Sequence, residues 1–486
     1  MDILPSRSPR VIVLAVVVVV AAIGAVVWFV LVDRGPDHPD AWDPAVVDLV
    51  DFVETERGRG FAHPVRIDVV SDAEFAAAVG ADADGPTGDE RIDIEATLDL
   101  ARSLALVTDA DDTDAVVADV ATEVLVEHRT ARYLVGEERI VVRDRGGDGF
   151  DLVTEVELVA ALGMAWHDQR FGLSDASTFD GSRRGAGARG VAVGAGDVMA
   201  FRYVAELDAD DAEEWDAHED DTGGDGPVDL VATLATLPEA LGGPLLELAL
   251  ADASADDDER ELNWSTVDAL LTGLPRTELE LLDPWIGFEG FERVGVPTPS
   301  VPEGAEVLAE GNIGAATLYV LLSLRVDALD ALEAAGEWAG DIHVVTRDPD
   351  GRRCVALAVV GRDGIGSDLF EEQFEAWATA APSDADASVE RQNRVVTLRS
   401  CEVEPGVAPE LVVEPGVAAS VPVIRTRLLA ELRFDDATRA EAECVADLAL
   451  DGLALLTPDD DDDGVDEGGD RFEVLLRDSL RACRRR

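Results

Sequence analysis

The sequence contains no lysine. All 39 of its basic residues are arginine, set against 102 Asp and Glu for a formal charge of −63 over 486 residues. That balance excludes nucleic acid as a partner, because phosphate binding needs a net basic face. Attraction to anionic lipid headgroups is excluded for the same reason. Catalytic signatures are missing as well. No Gly-x-Ser-x-Gly elbow occurs, and none of the six histidines (His38, His63, His128, His167, His218, His343) begins a His-Glu-x-x-His pattern. His218 precedes Glu219, but Thr222 stands where the second histidine would be. The Gly-rich stretch 184–190 lacks the Lys-Ser/Thr of a phosphate loop and reads as a flexible loop within a Gly- and Arg-rich segment, 174–196. His167 beside Asp168 reads as a structural hydrogen-bonding pair rather than a general base.

What is present is enough apolar residue, 47%, to build a core. The length allows two or three domains, or one large domain with additions. Acidic residues are spread along the chain rather than gathered in one tail. Their mutual repulsion becomes tolerable in concentrated salt, where the Debye length falls to about 3 Å at 1 M. With no Lys and abundant Asp, Glu, Ala and Val, the composition resembles that of proteins from salt-loving archaea. The charge therefore reads as adaptation to solvent and not as a binding site.

Residues 11–32 carry no charge and would span about 33 Å as a helix, enough for a hydrocarbon core of roughly 30 Å. Trp28 and Phe29 lie near the outer end, where aromatic rings suit the interface. Arg7 and Arg10 precede the run, and Asp33, Asp37 and Asp40 follow it. The positive-inside rule then leaves residues 1–10 in the cytoplasm and exports the rest, giving a single-pass cell-membrane protein with an extracellular C-terminal part. A cleaved signal peptide is the competing assignment; the run is longer than a usual signal core and no small-x-small site follows it. Residues 33–44 make a linker, 45–405 the ectodomain and 406–486 a helical extension with an acidic loop. The next apolar stretch, 313–324, is too short to span and reads as a buried helix.

Four cysteines fit export. Cys354, Cys401, Cys444 and Cys483 allow three pairings, and neighbourhood favours Cys354–Cys401 and Cys444–Cys483. Buried free thiols are the competing assignment. A zinc site is disfavoured because no two cysteines are close in sequence and no histidine stands near them. Asp459, Asp461, Asp463 and Asp470 fit four ligand positions of a calcium loop, but Asp466 and Asp470 replace the usual apolar residue and bidentate Glu. Asn263-Trp264-Ser265 is a glycosylation sequon, and Asn263 equally suits the N-cap of a helix.

Helical spacing is expected at 44–57, 72–79 (with Ser71 as N-cap), 94–107, 115–126, 152–171 and 197–207, with further helices to about 282. Strands are expected at 64–70, in a hairpin of 130–135 and 139–142, at 342–346 and 354–360 around the turn Asp348-Pro349-Asp350-Gly351, and at 391–399. A helix at 370–378 follows that turn. Residues 209–227 read as an acidic surface insertion, and 428–455 with 472–483 as a closing helix pair.

The run from Leu158 to Leu173 resembles a helix of zinc-metallopeptidase-like proteins, in which His-Glu-x-x-His is followed by Ala-Leu-Gln-Asp-Gln-His-Phe-x-Leu. Ala165, Asp168, Gln169, Phe171 and Leu173 match and fix the register. The two histidine ligands then fall on Ala160 and Met164, and the general-base Glu on Ala161. Val193-Gly194-Ala195-Gly196-Asp197 followed by Arg202-Tyr203 resembles the family's Val-Glu-Gly-Asp-Ala helix, whose ligand Glu falls on Ala195. Weaker similarities lie at Pro64 to Phe75, at Pro275-Arg276-Thr277 to Pro284 and at Trp338-Ala339-Gly340-Asp341, which resembles a Trp-Gly-Gly-Asp turn before a strand pair; together they run in order over about 45–400. The resemblance implies an α+β fold, a mostly helical metallopeptidase-like domain with small antiparallel sheets behind one N-terminal transmembrane helix. A catalytic zinc needs two imidazoles one turn apart, a carboxylate and a base, and Ala and Met supply none. The expectation is a catalytically inactive, cofactor-free surface module with an unknown protein or envelope partner. The competing expectation is a hydrolase using a carboxylate site that no pattern singles out.

Overall fold

The computed structural model describes residues 38–82, 88–107, 129–146, 149–173, 186–222, 230–251, 262–274, 277–289, 292–404, 411–454, 475–477 and 479–483. The expected anchor 11–32, the helix at 115–126, the calcium candidates Asp459, Asp461, Asp463 and Asp470, and Pro275 and Arg276 lie outside these residues. A 3-10 turn at Pro44–Val46, capped by the Asp43 carboxylate, runs into α1 (Val47–Glu56), whose Leu49, Val50 and Val53 are buried. After β1 (Arg66–Val70), the helix α2 (Asp72–Asp82) opens with a capping box. Ser71 Oγ accepts the Glu74 N–H at 3.4 Å and Glu74 returns the contact to the Ser71 N–H at 3.1 Å. Next come α3 (Gly88–Ser103) and the expected hairpin of β2 (Ala131–Leu134) and β3 (Arg139–Arg143). β1 pairs in parallel with β3, so this three-stranded sheet, β1-β3-β2, is mixed rather than antiparallel. Phe75 and Val79 of α2 cover it against Leu134 and Val141.

The helical body contains α4 (Leu152–Phe171), α5 (Ala186–Val204), α6 (Ala209–Thr222), α7 (Leu230–Ala251), α8 (Trp264–Thr272), α9 (Leu279–Leu282) and α10 (Pro284–Glu289). Asp151 caps α4 through the Thr154 N–H, and Gly172, at φ 67°, ends it. An expected loop is helical, and so is part of the expected acidic surface insertion. Residues 186–196 belong to α5, and 209–222 form α6. Glycine costs up to about 1 kcal/mol per helical position, which is why the composition reads as loop. Here the missing side chains let α5 touch its neighbours at the backbone. A Cβ on Gly190 would strike the Pro238 carbonyl, and one on Gly242 would strike the Gly190 carbonyl. α7 is long and apolar enough to cross a membrane, yet most of it is buried between α5 and the C-terminal helix that follows Pro415.

The remaining strands form an all-antiparallel sheet of order β4-β5-β6-β8-β7. In chain order these elements are β4 (Glu306–Gly311), α11 (Ala315–Ser323), α12 (Ala328–Gly336), β5 (Trp338–Arg347), β6 (Arg353–Gly361), α13 (Gly364–Ala380), β7 (Ser388–Gln392) and β8 (Val395–Cys401). Three expectations change here. β4 is an additional strand at the sheet edge, masked in the sequence by Glu306 and Glu310. Residues 391–399 are not one strand but parts of a hairpin, turned at Asn393 with φ 60°. Trp338-Ala339-Gly340-Asp341 is not a turn before the strand pair; it is the buried start of β5. Next come α14 (Pro415–Phe434) and α15 (Arg439–Ala454), separated at Asp436, φ 66°, where one continuous helix was expected from 428 to 455, and residues 475–477 and 479–483 are helical as well. Both expected cysteine pairs form. Cys354 and Cys401 face each other across β6 and β8, and Cys444 of α15 joins Cys483.

Candidate functional site

The motif helix α4 meets α5 at two glycines. A Cβ on Gly196 would lie 2.6 Å from the Ala160 carbonyl oxygen and 3.4 Å from Met164 Cβ. A Cβ on Gly163 would lie 2.5 Å from Met199 Cγ and 3.5 Å from the Ala195 carbonyl. Ala160, Met164 and Ala195 thus border one helix–helix junction, Ala195 fully buried, with Ala161 also buried beside them. Their side chains offer two methyl groups and one thioether, while the backbones press against each other. This donor set does not fit a zinc ion, which needs imidazole, thiolate or carboxylate ligands.

The last turns of α4 hold different chemistry. Trp166 Nε1 donates to the Arg59 carbonyl at 3.0 Å. Asp168 accepts the Tyr133 hydroxyl of β2 at 2.9 Å. Gln169 clamps the segment before β1: its Oε1 accepts the Ala62 N–H at 2.8 Å and its Nε2 donates to the His63 carbonyl at 3.1 Å. Arg57 is sandwiched between the rings of Trp166 (4.5 Å) and Trp264 (4.1 Å) and pairs with Asp268. His167 does not pair with Asp168. Its Nδ1 lies 2.6 Å from the Gly163 carbonyl one turn back. Full burial pushes this imidazole down to about 3, and the Arg57 guanidinium adds to the shift. A histidine neutral at every physiological pH in the core is a packing residue, not a proton carrier.

A second group converges at the edge of the three-stranded sheet, and sequence reading passed over it. Trp42 stacks edge-on against Phe61 at 4.8 Å and so seats residues 38–43 beside residues 61–63. The rings of His38 and His63 are stacked, with centroids 3.4 Å apart and planes at 26°. Both Nε2 atoms point at Glu138 Oε2, at 3.5 Å from His38 and 3.8 Å from His63. Glu138 occupies the left-handed region in the β2–β3 turn, at φ 48°. Only Gln169, which holds the His63 backbone from the motif helix, could have signalled the cluster from sequence, and its role was not visible without the fold.

Asn263 caps α8 by accepting the Thr266 N–H at 3.2 Å, and Ser265 Oγ donates to it at 2.7 Å, so the cap is formed whether or not the sequon is used. Two buried carboxylates elsewhere, Glu278 and Asp341, receive the first N–H groups of α11: Ala316 donates to Glu278 at 3.1 Å, Ile313 to Asp341 at 2.6 Å. Burial pushes the Asp341 carboxyl up, and the Ile313, Gly314 and Trp338 donors pull it back. Both groups serve a helix N-terminus. Compared with profiles of known protein families, with curated proteins and with solved structures, the chain matches none.

Proposed function

We propose that this chain is a single-pass cell-membrane protein of a salt-adapted cell, held by residues 11–32, whose extracellular body binds a protein or envelope partner and does not catalyse. In this reading the α4–α5 pair is a metallopeptidase-like framework. Ala160 and Met164 stand in for two histidine ligands, Ala161 for the general base and Ala195 for the third ligand. The observation that supports it is the contact at Gly196, where a Cβ would lie 2.6 Å from the Ala160 carbonyl oxygen, so the α5 backbone meets α4 beside the positions assigned to the ligands. The two cysteine pairs support an exported body, since disulfides persist in oxidising compartments.

Fractionation of native membranes in molar salt tests the placement. The full chain is expected in the carbonate-washed pellet, accessible to protease added to intact cells, and released when residues 11–32 are deleted. Assays against casein and generic esters in the same salt test the rest, with no turnover expected. Recovery from the cytoplasm, or hydrolysis abolished by a single carboxylate substitution, would overturn the proposal.

A further inference from the structure

We infer that His38, His63 and Glu138 form a binding site for a divalent transition metal of the zinc class, independent of the α4–α5 junction. Three chain segments far apart in sequence bring these groups together. One candidate ligand atom from each lies within 4.8 Å of the other two. Around a tetrahedral ion with bonds near 2.1 Å, ligand atoms stand about 3.4 Å apart. The Nε2–Oε2 separations of 3.5 and 3.8 Å match that spacing. They are long for hydrogen bonds, which fall at about 2.7–3.2 Å.

The stacked rings and Glu138 bring three candidate ligand atoms to one place on the surface. A shared cation needs both rings neutral, with Nε2 free to coordinate. His63 Nδ1 lies 3.3 Å from both the Pro64 carbonyl, which only accepts, and Gln169 Nε2, which only donates; in the tautomer protonated toward the carbonyl, Nε2 is the ligand atom. Gln169 supplies the outer support by fixing the backbone of residues 62 and 63. Two nitrogens and one carboxylate oxygen suit zinc, copper or nickel better than calcium or magnesium, which favour all-oxygen sites. Three protein ligands leave a fourth position for water or for a donor from a partner. The side chains of all three are about 30% exposed, so the ion would enter from solvent.

The test uses the full-length chain in detergent and molar NaCl. The chain is stripped with chelator, then dialysed against Zn2+ with excess Ca2+ to occupy surface carboxylates, and its zinc content and affinity are measured. One tightly held zinc per chain is expected. H38A, H63A and E138Q should each weaken it at least about 100-fold, and Q169A by about 10-fold, as loss of an outer-shell support does. His38 lies in a partly exposed segment outside the core, so H38A is informative even where H63A fails to fold. Loss of zinc in H38A and retention in M164A would separate this site from the α4–α5 junction. No saturable zinc in the wild type, or affinity in H38A within twofold of wild type, would overturn the assignment.

Discussion

The two ends of α4 have opposite characters. From Leu158 to Ala165 the helix shows its neighbours only aliphatic groups, a thioether and a glycine, and α5 comes down onto its backbone. From Trp166 to Gln169 every side chain reaches a named partner: Arg59, Gly163, Tyr133, or residues 62 and 63. The residues that match the metallopeptidase-like pattern, Ala165, Asp168, Gln169, Phe171 and Leu173, sit at or beyond the second end. Ala160, Ala161 and Met164, which depart from it, sit in the first, while Trp166, His167 and Arg170 depart from it in the second. Asp168 and Gln169 fasten the helix to its surroundings, and so does Trp166, and such fastening is indifferent to chemistry at the other end.

Breaking the inner end should cost most. Gly196→Val drives a branched side chain into the Ala160 carbonyl, which cannot yield, and unfolding in denaturant should show a loss of about 3 kcal/mol or more. The next effect is pH-dependent and separates His167 from the outer contacts. A base whose folded pKa is lowered, here to about 3, gives stability that is complete above its unfolded value near 6.5 and is lost as pH falls toward 3. Each pH unit in that window costs about 1.4 kcal/mol, roughly 3 kcal/mol by pH 4.5. His167→Phe should therefore be less stable than wild type at pH 7.5 and gain on it as pH falls, read as the difference between the two unfolding curves. An unchanged difference across pH 7.5 to 4.5 would mean the imidazole titrates normally. At the outer end Gln169→Ala removes three contacts to the backbone of residues 62 and 63 and should cost about 2 kcal/mol. Tyr133→Phe removes one hydroxyl from Asp168 and should cost about 1 kcal/mol by the same measurement.

Local signals carried much of the fold. Asp151 and Gly172 bracket α4, Ser71 and Glu74 start α2, and the cysteine neighbourhoods predicted both pairs. The failures have separate causes. Glycines 187, 190, 194 and 196 look like loop punctuation until the backbones they admit are known, and those backbones lie on α4, α7 and the segment before α9. Residues 209–222 look like a solvated insertion because α6 carries an almost wholly polar sequence. Asn393 and Asp436 each break an element in the left-handed region, a choice that Asn and Asp permit but do not announce. The cluster of His38, His63 and Glu138 was illegible for a different reason. It depends on tertiary placement of three segments, each ordinary by itself.

Under the proposed export, helix α7 would pose a problem for a chain threaded across a bilayer. It is long and apolar enough to be taken for a stop-transfer segment, which would strand everything after Ala251 on the wrong side. Glu239 and Glu247, the paired glycines and Pro238 and Pro244 interrupt that apolar length. Glu239 is also the residue that ties α7 to Arg189 of α5 at 3.2 Å. The same carboxylate that anchors the folded core would thus help the secretion machinery let the helix pass.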